Sequence, residues 1–429
     1  MLADKVCGTT VGLWLLAAEH LRLGTWDLLC GWTGRATDRV EPRLALQLVH
    51  EAALCTTGVR QRRSLSQKGF ELVNGLPWLA SDTAIHDLLN EHTVEQARQL
   101  QLTLGRLRRA SGHFQGKLVV LDPHRVRSYS KRRMQQQCKD SKSKPMKMSQ
   151  TFFALDGDTE QPICFTTATA ARTVSRATQD LLSLAGEILG VSAGESLVVA
   201  DSEHYAAEVV DYVARETPFD LLVPMMLGRP MLRQLESLPA EEFQRQWVGY
   251  ATTKRAYTPI RSVGGPYWQF IQREGERAEN YSYKSFLSTA DSEIASSLCE
   301  KFPKRWHIEE FFNRDQSLGW HRAGTQNLHI RYGQMSLALI AQTSINQLRR
   351  RLGTPYQGWD ADHLANSLFR GIDGDVRVQD ETIVVTLYNV PEADRFRSEY
   401  ESLPSRLESE GVDPRIPWLY NYRLDFRFR

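Results

Sequence analysis

Two short runs of unbroken apolar, β-branched residues interrupt the amphipathic periodicity of the chain: GKLVVLDPHR at 116–125 and ESLVVADSEH at 195–204. Such runs predict strands buried on both faces, and each ends in an aspartate, Asp122 and Asp201. Between them MSQTFFALD and QPICFTTAT alternate as strands joined at a Gly157-Asp158 turn, and a helical period follows over 174–189. After Asp201 come a helix (AAEVVDYVARE) and another buried strand (FDLLVPMM). The order strand, strand, strand, helix, strand, helix, strand predicts a mixed sheet. Its first and fourth strands lie side by side and bring Asp122 and Asp201 to one edge.

The flanking patterns are different. Residues 1–112 read as helices, with capping signals at Ser81-Asp82 and at Thr93 with Gln96 three residues on. Within them SLSQKGFELVNGLPWLASDTAIHDLLN is compatible with a helix-turn-helix, with Arg60, Arg62, Arg63 and Lys68 near for phosphate contacts, and equally with a plain helical bundle or dimerisation domain. Residues 229–289 (RQWVGYATTKRAY, GGPYWQF, NYSYKSFLSTA) predict an inserted β-rich subdomain. KFPKRWHIEEFFNRDQ at 301–316 reads as one α-helix. At about 100° per residue, Phe302, Arg305, Glu309 and Gln316 share a face roughly 60° wide. Ile308, Phe311 and Phe312 form a core stripe, while His307, Glu310 and Arg314 point away. Taken alone, that pattern also fits an amphipathic helix whose Arg305–Glu309 pair contributes only a few tenths of a kcal/mol. A long buried helix at about 325–352 follows, then a helix near 361–369 and a strand pair, DVRVQ and ETIVVTLYNV. The expected domains are 1–112, helical, for DNA binding or dimerisation; 113–228 and 290–352, one α/β core; 229–289, the insertion; and 353–429, a tail.

Composition narrows the classes. With 429 residues, 41% hydrophobic and 24% charged, the chain is long enough for two or three globular domains, and its net charge of +2 gives no global basic field. The local charge is another matter: 125–147 holds nine cations (Arg125, Arg127, Lys131, Arg132, Arg133, Lys139, Lys142, Lys144, Lys147) against one acid, Asp140. Starting directly after Asp122, it reads as an arm along DNA backbone or as a solvated loop. The six cysteines show neither CxxC nor zinc-finger spacing, as expected of a reducing cytosol. VGLWLLAA at 11–18 is too short to span a bilayer and reads as core, so no membrane partner is expected.

Two aspartates at strand ends and a glutamate on a later helix suit a two-metal phosphoryl-transfer site, because Mg²⁺ prefers a few carboxylate oxygens together with water and phosphate. On these residues the chain resembles the DDE transposases of the insertion-sequence-4-like group. That group's signature is Tyr, two residues, Arg, three residues, Glu, six residues, Lys. Here it stands as Phe302, Arg305, Glu309 and Gln316 within RWHIEEFF, and Asp201 lies in VVADSEHYAAEVV, like the second motif. The resemblance runs from about residue 10 to 352.

It implies a ribonuclease H-like mixed α/β sheet with flanking helices and a β-rich insertion between the second and third acids. It also implies cut-and-paste transposition, in which a DNA strand is hydrolysed at the transposon end and the freed 3′-hydroxyl attacks target DNA. Asp122, Asp201 and Glu309 are then catalytic and hold two Mg²⁺ (or Mn²⁺) ions. Arg305 clamps a phosphate; Phe302, Gln316, Arg125, Arg127, Lys131, Arg132 and Arg133 lie along DNA; and Trp268, with Tyr267 and Trp247 as rivals, stacks on a flipped base. His124 and His204 read as groups behind the acids or on phosphate. Partners are double-stranded DNA and a second copy in a synaptic dimer, in the bacterial cytosol and on the nucleoid when active. Phe302 loses the family's hydroxyl and Gln316 loses its cation. A catalytically silent DNA-binding relative is therefore the alternative, and a nuclease without strand transfer is a third reading.

Overall fold

The computed structural model describes residues 5–8, 10–34, 39–56, 68–128, 136–137, 144–168, 173–320, 325 and 327–429. Arg60, Arg62 and Arg63, and Lys131, Arg132, Arg133, Lys139 and Lys142 of the basic segment, lie outside the described residues. Strands are numbered along the chain: β1 (Val6–Gly8), β2 (Leu118–Arg127), β3 (Gln136–Gln137), β4 (Met146–Asp156), β5 (Gln161–Ala168), β6 (Ser196–Ala200), β7 (Phe219–Pro224), β8 (Gln244–Trp247), β9 (Tyr250–Tyr257), β10 (Tyr267–Glu274), β11 (Ser282–Ser288), β12 (Gly374–Gln379), β13 (Thr382–Leu387), β14 (Arg415–Ile416) and β15 (Tyr422–Phe428). The chain divides into two compact units, Met1–Leu107 with Phe312–Arg429, and Arg108–Phe311.

In the first unit, helix Leu328–Leu352 packs against Glu41–Ala53, Trp14–Leu23 and Asp82–Glu91. It is buried on nearly every side, and its buried residues include polar ones such as Gln342, Thr343, Ser344 and Arg349 beside the apolar run. Both sequence caps form. Ser81 Oγ accepts from the Ala84 amide at 3.1 Å. Thr93 and Gln96 make the reciprocal capping box, at 3.2 Å and 2.7 Å. Gly24, with φ 60°, turns the chain between Trp14–Leu23 and Thr25–Thr33. Of the helices flanking the Asn74-Gly75 turn, Asp82–Glu91 packs on Leu328–Leu352 and Glu41–Ala53, and Lys68–Val73 on β1 and the 3₁₀ turn Val11–Leu13. A sheet of order β1-β12-β13-β15-β14 completes the unit; β12 and β13 form the expected antiparallel pair.

The second unit is built on one mixed sheet of order β3-β4-β2-β6-β7-β11-β10-β9-β8, with β5 on the far side of β4. β2, β6 and β7 are parallel neighbours, as their continuous apolar runs require, and β4 is antiparallel to β2. Helix Val174–Leu189 lays Ala177, Leu181, Ala185 and Ile188 on β4 and β5, and Ala207–Glu216 lays Val209, Val210 and Val213 on β7. The segment expected to be β-rich opens instead with a helix, Arg229–Glu236. Its strands extend the same sheet, because β11 pairs antiparallel with β7. A small hydrophobic cluster of Leu235, Phe243, Ala251 and Ile271 packs on that extension.

Candidate active site

The parallel pairing of β2 and β6 ends at Leu121 opposite Ala200, so Asp122 and Asp201 follow at the same level. Asp201 leaves its strand there. β2 instead runs on to Arg127 with Asp122 paired to Phe153 of β4, so Asp122 lies five residues short of the strand end that the sequence pattern placed at it. Open α/β sheets bind ligands at the carboxyl ends of their parallel strands. Asp201 is held there by its own turn, since its Oδ1 accepts from the Glu203 amide at 2.9 Å. Behind it His204 is fully buried. Its Nδ1 lies 2.9 Å from Thr178 Oγ1, its Nε2 faces Asp201 Oδ1 at 4.0 Å, and its ring meets Phe152 edge-on. Burial lowers the His204 pKa, and the nearby Asp201 and Glu203 charges oppose that shift. His124, on β2, stands edge-on to Phe153 at 6.4 Å. Arg125 pairs with Glu203 beside the two acids.

The third acid arrives on a broken helix. Instead of one α-helix over 301–316, the chain makes a π turn at Ser297–Lys301, a 3₁₀ segment at Phe302–Trp306, an α-helix at His307–Asp315 and another 3₁₀ turn at Gln316–Leu318. Pro303 sits in the first turn of the 3₁₀ segment, where its missing N–H costs nothing. The expected single face of Phe302, Arg305, Glu309 and Gln316 is therefore not one helical surface. Phe302 packs edge-on against Phe286 at 4.9 Å, a contact that uses its ring and needs no hydroxyl. Gln316 is exposed after the break. Arg305 places Nη1 3.6 Å from Asp122 Oδ1 and lies over Trp306.

The electrostatics tie the three acids together. Burial first, then the Asp201 charge and, more weakly, Glu309, push the Asp122 carboxyl up to about 7; Arg305 and Arg125 pull the other way. Glu309 itself is exposed. The Arg305 and Arg125 guanidinium charges only partly offset the burial of this carboxyl and the charge of its acidic neighbours. Oxygen-only acidic donors in that state fit a hard divalent cation.

The aromatic residues of the 229–289 segment differ sharply. Tyr267 is buried and donates its hydroxyl to Asp211 at 2.6 Å, so it offers no face to a base. Trp247 is 51% exposed and stacks on Tyr250 at 4.3 Å. Trp268 is half-buried on β10 with Lys254 Nζ 5.2 Å from its ring. Arg125 and Arg127 sit at the end of β2, with Arg127 exposed. Two groups were not flagged by the sequence pattern: Glu203, the partner of Arg125, and Glu160, which meets His307 and Glu310. Glu203 lay two residues past Asp201 in a polar turn, whereas nothing in the sequence linked Glu160 to the 301–316 segment.

The fold and site define a mixed α/β protein with an acidic centre where the parallel pairing of adjacent strands stops. Residues 113–343, more than half of the chain, match the Transposase DDE domain family, and the chain belongs to it. No curated protein matches the chain. Among solved structures it is similar to a piggyBac transposase in a synaptic complex with hairpin DNA, at 12% identity and TM-score 0.42, over 86% of this chain and 82% of that one. Among the described residues no helix is long and apolar enough to cross a membrane.

Proposed function

We propose that this transposase cleaves DNA at transposon ends and joins the freed 3′-hydroxyl to target DNA, by the cut-and-paste route of the insertion-sequence-4-like group. The observation that carries this reading is the level placement of Asp122 and Asp201 beyond the β2–β6 pairing, with Glu309 near enough to raise the Asp122 carboxyl. Asp122, Asp201 and Glu309 hold two Mg²⁺ or Mn²⁺ ions. The bound ions supply Lewis-acid stabilisation of the attacking and leaving oxygens.

The remaining work falls to the protein. Asp201 is oriented by its turn, through the Glu203 amide, so its carboxylate would be held in place for a cation. Arg305, 3.6 Å from Asp122, is in reach of a phosphate at the acids and clamps it by charge-assisted hydrogen bonds. Arg125, Arg127 and the rest of the basic segment lie along the duplex, and two copies pair across the transposon ends. Trp268 is the stacking residue if an extruded base forms, because Tyr267 is enclosed. The sheet is read as ribonuclease H-like, with 229–289 as the insertion between the second and third acids.

The test is to incubate the protein with Mg²⁺ and DNA carrying the sequences that flank its own gene, and to map the cuts. Mg²⁺-dependent nicks at the element ends, followed by joining of a pre-cut 3′-hydroxyl end to a plasmid, are expected. Tight end binding without nicking would replace this reading with that of a silent DNA-binding relative, which the exposed Gln316 at the family's lysine position favours. Nicking without joining would make the chain a nuclease only.

A further inference from the structure

We infer that Glu203 is a positioning residue of the acidic centre: by holding the Arg125 guanidinium it keeps that cation off Asp122 and Asp201 and leaves their oxygens to divalent ions. This rests on the reading of Asp122, Asp201 and Glu309 as metal ligands given above. β2 loses β6 as its paired neighbour after Leu121 but runs on to Arg127. Arg125 lies in that stretch, and its Nη2 donates to Glu203 Oε2 in the 3₁₀ turn Ser202–His204 that follows β6. A side-chain ion pair thus continues the contact between the two strands where their ladder has stopped.

Glu203 serves two parts of the centre at once. Its amide N–H donates to Asp201 Oδ1 at 2.9 Å and orients the second acid. Its carboxylate takes the guanidinium, and among the described residues it is the group that accepts a hydrogen bond from Arg125. The Arg125 Nε–H is buried and makes none. Arg125 also feels the Asp201 and Asp122 charges, and its own charge opposes the rise of the Asp122 carboxyl.

A guanidinium presents a rigid fork of donors that matches a carboxylate. Released from Glu203, Arg125 would turn to the other carboxylates that act on it, Asp201 and Asp122, and occupy oxygens that a hard cation needs. Asp122 already has one such competitor, Arg305, whose Nη1 stands 3.6 Å from Oδ1. A second guanidinium on the acids would close the centre, and Glu203 holds it aside. The charge of Glu203 is a separate influence, because it favours a nearby cation whether or not Arg125 is present.

The test is a double-mutant cycle on Mn²⁺ affinity, measured on the full chain without DNA from the paramagnetic resonance signal of the free ion. Glu203→Gln should weaken Mn²⁺ binding by at least about tenfold, the lower end of what losing an outer partner costs a metal site. In the Arg125→Gln background the same substitution should cost less than about threefold, because no guanidinium is left to restrain. An equal loss in both backgrounds would mean that Glu203 acts through its own charge or as a ligand, and would overturn the inference, as would no loss in either. Asp201→Asn separates this result from the reading beneath it and should abolish binding. A wild type that binds no Mn²⁺, or an Asp201→Asn chain that binds it as well as the wild type, overturns both. Should Glu203→Gln fail to fold, Glu203→Asp keeps the charge, shortens the reach and carries the same cycle. Loss in the parent but not beside Arg125→Gln is again expected, and equal loss or none overturns the inference. The backbone N–H that caps Asp201 is present in every variant, so the cycle does not read the turn itself.

Discussion

At Asp122 burial and the charge of neighbouring Asp201 act in the same direction. Its carboxyl is pushed up to about 7 from an ordinary 3.8, so between those values the folded chain holds a proton that the unfolded chain has released. Stability therefore falls as pH rises through that window and levels off above it. In chelator, the urea midpoint should be lower at pH 8 than at pH 6. Asp122→Asn should flatten that difference, and saturating Mg²⁺ should restore more stability at pH 8 than at pH 6. An Asp122→Asn chain with an unchanged pH profile would show that the proton sits elsewhere. The acids also separate by function: Glu309→Gln should lower cleavage by at least about a hundredfold, since disturbing even outer partners of a metal site costs ten- to a hundredfold. It should leave DNA binding in place. Glu310→Gln, on the other side of the helix, should retain far more cleavage, and nicking assays on one substrate compare the two directly.

At the scale of elements, Asp315 ties the end of its helix to another in the first unit. It is buried, receives Arg349 Nη2 at 2.9 Å and Nη1 at 3.3 Å, and takes Gln342 Nε2 at 3.2 Å, which fastens it to helix Leu328–Leu352. Asp315→Ala leaves a buried guanidinium without its carboxylate and should cost about 3–5 kcal/mol, read as the shift in denaturant midpoint at constant slope. This buried pair was not legible in sequence, because nothing in a linear pattern matches an aspartate to an arginine 34 positions later. The adjacency of β2 and β6 was legible, because only a strand covered on both faces is apolar at successive positions. The caps at Ser81 and Thr93 were legible because capping is local in sequence. The 301–316 helix misled for a complementary reason. A 100° period describes where residues fall if the helix is regular, and Pro303, with the turns on either side, makes it irregular. Arg305 consequently pairs with Asp122 and not along its own helix with Glu309. The strands of 229–289 were visible as strands, but their continuation of the main sheet depends on the β7–β11 pairing, a contact between segments some sixty residues apart.

On the scale of the whole molecule, the near-neutral net charge conceals a concentrated basic segment, and the two lead to different expectations about DNA. A protein of net charge +2 has no long-range field to gather duplex from solution. Affinity must then come from contacts made after encounter, and 125–147 is the place with enough cations to make them. Each phosphate neutralised releases condensed counterions, so log K falls with log salt by about 0.9 for every contact on duplex DNA. Replacing Lys142, Lys144 and Lys147 by Gln should reduce that slope by close to one unit for each lysine that touches phosphate. It should weaken end and non-specific duplex alike, and leave the ratio between them unchanged. Fluorescence anisotropy across a salt series, with an end sequence and a scrambled duplex, measures both quantities. A slope identical to that of the wild type would make the segment a solvated loop, and a loss confined to the end sequence would make it a reader of bases. If the slope falls uniformly, sequence recognition has to lie elsewhere on the chain. Swapping the element ends between related transposases, while keeping this arm constant, would then locate it.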